Sequence, residues 1–166
     1  MSLGTKELVA LSAILISGCG DAYKAAYPID LGQAESAISE KLSIERSGDY
    51  TLSLAFPHVY ERGDLDAEDK FKNLIWRGKD IRAARVWVSL ANGEKILSEG
   101  EFLLNGSDGV ISITARGEEV SANTRVIDTL SLPAGDYILK YRNVTPDKDL
   151  GEIDSYIVLF LDEPKI

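Results

Sequence analysis

Among 166 residues there is one histidine, His58, and one cysteine, Cys19, so the side chains that carry most enzymatic and metal chemistry occur singly. A multi-histidine or multi-thiolate metal centre needs several such ligands at set spacings and cannot form from these. His58 sits in Phe56-Pro57-His58-Val59-Tyr60, and no Gly-x-Ser-x-Gly elbow exists to present a serine to it. Loop histidines without such partners are ordinarily solvated or hydrogen-bonded, and no catalytic role is expected here. The 27 Asp and Glu residues leave one catalytic class open, because a carboxylate pair can hydrolyse a glycoside and the separation of such a pair is a tertiary property.

Two acidic segments invite a calcium reading. In Asp64-Leu65-Asp66-Ala67-Glu68-Asp69 an EF-hand count puts Asp69 where glycine belongs and Ile75 where the bidentate glutamate belongs, so the match fails. The twelfth position from Asp147 is Val158, and residues 147–154 read as a solvated turn. No metal and no cofactor is expected. Helix capping explains the first segment more simply: Asp66 is expected to cap a helix over 66–76, with Glu68 and Asp69 at the positive end of its dipole, and Gly78 stopping it. Ala67, Phe71, Leu74 and Ile75 give that helix one apolar stripe.

The elements around it alternate with period two. Strands are expected over 41–45, 50–56, 82–90, 94–104 with a break near Gly100, 110–115, 125–132, 137–141 and 153–161. Asn92-Gly93 marks a hairpin turn, and residues 46–49 and 132–137 read as two more. The last strand is apolar on both faces and should lie centrally with its second face covered. The fold class expected is mostly β, an antiparallel two-sheet immunoglobulin-like sandwich with one inserted short helix. Within 82–90, Trp87 alternates away from Val86, Val88 and Leu90, so the helix or a partner must cover it. The helix is the expected cover, and an exposed tryptophan would be a binding anchor.

The N-terminus carries Lys6, then an apolar run over 8–16, then Ile16-Ser17-Gly18-Cys19. A cationic start, a short apolar core and small residues before a cleavage point are the features of an export signal, and the run is shorter than the 18 or so apolar residues of a membrane span. Residues 16–19 resemble the lipobox of bacterial lipoproteins. That resemblance implies removal of 1–18, a mature chain starting at a lipidated Cys19, a tether over 19–27 and one domain over 28–166. It implies a lipid-anchored, periplasm-facing protein of the bacterial envelope. Gly20 rather than aspartate after the cysteine implies the outer membrane. Lys6 and Glu7 leave together, so the mature chain keeps the net charge of −9. Nucleic acid is a poor partner for such a surface, whereas a basic protein is a complementary one.

The segments at Asp30-Leu31, at residues 47–52 and again at 132–137 resemble the immunoglobulin-like β-sandwich domains of bacterial envelope lipoproteins. The chain is also similar to small proteobacterial lipoproteins grouped as a domain of unknown function. Those resemblances imply fold and location and transfer no catalytic residue. The function expected is therefore a membrane-anchored, non-enzymatic protein-binding lipoprotein, in its sharpest form an immunity protein against a basic toxin acting in the periplasm. A structural or assembly lipoprotein of a secretion or envelope complex is the alternative, and a carboxylate-dependent hydrolase the outsider. The expected interface is Asp64, Asp66, Glu68 and Asp69 at the helix start, with Trp87 as a further anchor.

Overall fold

Alternating strands bury one face each and must therefore pair face to face, which here produces two stacked antiparallel sheets. The computed structural model describes residues 24–162 apart from 35, 62 and 79, so the export segment and Cys19 lie outside the described residues. In chain order the elements are β1 (Lys24–Pro28), β2 (Ile38–Ile44), β3 (Gly48–Pro57), α1 (Leu65–Phe71) running on into a wider π turn (Lys72–Trp76), β4 (Ala84–Asn92), β5 (Lys95–Leu104), β6 (Gly109–Ala115), β7 (Glu118–Leu132), β8 (Gly135–Asn143), α2 (Lys148–Gly151) and β9 (Tyr156–Leu161). One sheet has the order β1-β9-β3-β7-β6 and the other β2-β8-β4-β5. The main core lies between them and includes Tyr50, Leu52, Leu54 and Phe56 of β3, Val86, Val88 and Leu90 of β4, and Ile157 and Leu159 of β9.

β9 is apolar on both faces because the five-stranded sheet buries both of its faces. Ala55, Ile113, Ala115, Ala122 and Val158 form a second cluster on the side away from the main core. The registers Ala55↔Thr124, Ile111↔Ala122, Ile113↔Val120 and Ala26↔Val158 put all of these residues on one face. The sheet therefore curls over its own outer face, and the β6–β7 hairpin covers β9. Small side chains in the middle of the cluster permit so tight a curl.

Four local expectations are corrected. Residues 46–49 and 132–137 are not hairpin turns: β2 pairs with β8 and β3 with β7, so both links carry the chain from one sheet to the other. Each link ends in the same five-residue pattern, Gly48-Asp49-Tyr50-Thr51-Leu52 and Gly135-Asp136-Tyr137-Ile138-Leu139. In each, the tyrosine hydroxyl donates to the carbonyl four residues back, Tyr50 to Arg46 at 2.7 Å and Tyr137 to Pro133 at 2.6 Å. These are tyrosine corners of the immunoglobulin-like kind. The Ala134 amide donates to the Ser47 hydroxyl, so the corners sit side by side.

The other two corrections concern strand limits. Gly100 does not break β5; the register shifts nearer the turn, between Leu90↔Ser98 and Ala91↔Ile96, where Leu97 of β5 is the extra residue. Residues 24–27, expected as part of the tether, pair with β9 as β1. Their alanines blur the alternation that would have revealed a strand. The hairpin at Asn92-Gly93 is present, joining β4 to β5.

Candidate functional site

The chain between β3 and β4 builds the helix at one end of the sandwich. Asp64, not Asp66, is the cap: its Oδ1 accepts from the Ala67 amide at 3.0 Å. Asp66 and Glu68 then stand in the first turn, where the exposed amide dipoles favour negative charge, and Asp69 follows just beyond it. Glu68 pairs with Lys72 one turn on, at 2.5 Å. Asp66 and Asp69 are exposed and have no ion pair among the described residues. Beside them Leu65 is 69% exposed, so the helix start offers an apolar side chain flanked by uncompensated carboxylates.

The second acidic loop folds against this helix. Asp147 accepts from the amides of Asp149 and Leu150 at 2.9 and 3.1 Å, winding α2 and seating Leu150 in the core. Glu152 then pairs with Lys70, which holds its carboxyl below the ordinary glutamate range. Arg82 pairs with Asp149 at 3.0 Å. The loop is held from below by backbone packing, since a Cβ on Gly151 would lie 2.4 Å from the Cα of Gly32. Helix and loop are thus one composite surface.

What fixes that surface to the sandwich is Arg125, whose place in a strand gives little sign of the role in the sequence alone. Its side chain is 1% exposed. Nε donates to Gly106 O at 2.7 Å, and one terminal nitrogen donates to Arg82 O at 2.7 Å and Leu104 O at 3.1 Å. The other nitrogen reaches Ile75 O at 3.3 Å and Leu74 O at 3.5 Å. The last two carbonyls lie near the C-terminal end of the π turn, where the helix dipole is negative. The guanidinium also lies 4.8 Å from the Phe56 ring. Burial pushes its pKa down to about 10, so it remains charged at neutral pH. One buried cation therefore ties the helix end, the approach to β4 and the β5–β6 link together.

His58 lies nearby and is accounted for structurally. Its Nε2–H donates to Asn123 Oδ1 at 2.6 Å, and Asn123 Nδ2 donates to Ser107 Oγ at 2.8 Å. Asn123 stands between the histidine and the serine, so imidazole and hydroxyl do not form a base–nucleophile pair. The ring meets Phe71 of α1 edge-on at 4.9 Å. Among the described residues no group of three or more His, Cys, Asp or Glu is placed to hold a metal.

Trp87 is not covered by the helix. Phe71, Leu74 and Ile75 pack into the main core with Val86 and Val88, whereas Trp87 points to the opposite face of the four-stranded sheet. There it is half-buried between its cross-strand neighbours Glu101 and Arg142, with the Arg142 guanidinium 5.9 Å from its ring. The structure brings Asp64, Asp66, Glu68 and Asp69 together and leaves Trp87 on a separate surface.

Among the described residues no helix is long and apolar enough to cross a membrane. No family model matches the chain, and no curated protein does. A solved structure does: the crystal structure of a Sulfurospirillum deleyianum protein is similar over 86% of this chain and 99% of its own, with 21% identity and a TM-score of 0.62. At that identity the likeness is one of fold, and it extends over nearly the whole sandwich.

Proposed function

We propose that the protein is a membrane-anchored, non-enzymatic binding lipoprotein of the bacterial envelope whose acidic helix start engages a basic protein, the immunity role against a periplasm-acting toxin being its sharpest form. One observation carries the reading: β1 begins at Lys24, five residues after Cys19, and the helix lies at the other end of the sandwich. Lys24 pairs with Phe160, and Phe160 with Thr51, near the tyrosine corners. β3 then runs from that end to Pro57, from which the chain leads into the helix. A lipid on Cys19 would hold the corner end within roughly 18 Å of the bilayer at about 3.5 Å per residue. The helix start would then face away from the membrane, toward incoming proteins. Two or three acyl chains give stable anchoring, so such a protein would work where it is tethered.

The test starts from the protein that co-purifies stoichiometrically from detergent-solubilised native membranes, and titrates it against wild type and an Asp66→Lys/Asp69→Lys variant. Neither carboxylate makes an ion pair among the described residues, so the variant should lose only the favourable interaction with the helix dipole, on the order of 1 kcal/mol, and remain folded. Affinity should fall about tenfold or more, with the loss concentrated at low salt. Equal affinity for the two proteins would remove the helix start as the interface. Recovery of secretion or envelope components in place of a basic partner would move the reading to the assembly role.

A further inference from the structure

The β6–β7 hairpin outruns the strand that supports it. β3 stops pairing at Pro57↔Ala122, one further bond joins the His58 amide to Ser121 O at 2.8 Å, and beyond it β6 and β7 ladder only with each other. This overhang carries Ile113, Ala115 and Val120 over Val158, Tyr156 and Ala26 of the neighbouring strands. β1 and β6 come close to one another without sharing a ladder, so the curl is not closed by backbone bonds. It is closed at the tip by Arg116, whose Nε and terminal nitrogen donate to the two oxygens of Asp154 at 2.6 and 2.9 Å and whose backbone amide donates to the Tyr156 hydroxyl.

Arg116 is an odd choice for this position. It has φ 53 and Gly117 φ 82, the pattern of a two-residue type I′ turn, where asparagine or glycine is favoured at the first site. Its side chain is 65% exposed, and exposed ion pairs contribute little to global stability. The left-handed backbone offsets most or all of what the pair contributes. A bidentate pair placed at such a site serves a local purpose.

We infer that the β6–β7 overhang is a hinged lid, clasped by Arg116 and Asp154, over the apolar outer face of β9. With the clasp closed, Val158 and Ala55 are fully buried. With it released, the overhang swings away as a unit, its own ladder intact, and uncovers them.

The clasp is charge-based and partly exposed, so salt should loosen it. The test reads thiol modification by N-ethylmaleimide in the full chain carrying Cys19→Ser. Val158→Cys places the probe under the lid, Ala55→Cys is a second such site, and Val88→Cys in the main core reports global opening. Adding Arg116→Asn, which keeps the turn chemistry, should speed modification under the lid about two- to fivefold and leave the core site unchanged. Asp154→Asn should do the same, and the two together no more. Molar salt should speed the clasped protein but not the Arg116→Asn variant. Lid and core sites that change in parallel, or a lid site indifferent to the clasp, would overturn the inference.

Discussion

Replacing Arg125 by methionine should be among the most destabilising single changes available in the described part of the chain. Methionine fills much of the same volume and removes every donor. Three carbonyls, of Gly106, Arg82 and Leu104, lose bonds of 2.7 to 3.1 Å, and those of Ile75 and Leu74 lose longer ones. A buried acceptor left without a donor costs about 1–3 kcal/mol; the Leu104, Leu74 and Ile75 carbonyls are buried and those of Gly106 and Arg82 partly so, and the five bonds together represent about 3–9 kcal/mol. Against this, the folded protein no longer buries a cation. A pKa lowered from the ordinary arginine range to about 10 corresponds to about 3 kcal/mol of relief. The expected loss is therefore about 3 kcal/mol, with water entry setting how far below the upper bound it falls. Arg125→Lys keeps the charge and up to three donors and should lose less, about 1–2 kcal/mol, because an ammonium cannot reproduce the planar fork. Urea unfolding measures both through the midpoint at constant slope. A loss below about 1 kcal/mol for methionine would refute the hub, since packing alone would then explain the site.

Four smaller perturbations test other parts of the structure. Asp64→Ala should cost about 1 kcal/mol in urea unfolding, as loss of a helix cap does, whereas Asp66→Ala should cost only a few tenths. Tyr137→Phe removes one partly buried hydrogen bond from a corner and should cost about 1 kcal/mol by the same assay. Gly151→Ala drives a Cβ into the Gly32 backbone and should cost on the order of 1–3 kcal/mol, visible as a lower unfolding midpoint. Glu152 has a pKa lowered by Lys70, so its contribution is present above the unfolded-state value and is lost as pH falls through the folded one. Comparing wild type with Glu152→Gln in unfolding titrations should show a difference at neutral pH that vanishes in acid below the glutamate range.

Most strands were legible because one buried face leaves a period of two in the sequence, whereas the first half of β7, residues 118–124, carries few apolar residues and was not read as strand. β9 also announced its second covered face, since Tyr156, Val158 and Phe160 lie opposite Ile157 and Leu159. Pairing was less legible. The Gly-Asp-Tyr pattern is common to turns and to corners, and what separates them is a tyrosine hydroxyl reaching back four residues, a contact made only once both sheets exist. The helix was found but its cap was placed two residues late, because Asp64 and Asp66 are both able caps and only the backbone decides. Arg125 left a faint signal. It falls in phase with Asn123 and Ile127, which puts a charged residue on the inward face of β7, and such a residue needs partners. Those partners are carbonyls from three distant segments, and no spacing encodes them.

The most direct measurement of the central claim is the intact mass of the protein recovered from the membrane fraction of cells that make the full chain. The expected species begins at Cys19 and carries the mass of a diacylglyceryl group, with or without an added acyl chain, and Cys19→Ser should abolish both cleavage and membrane association. A full-length species with an unmodified Cys19, recovered from the soluble fraction, would contradict the anchor and the orientation built on it.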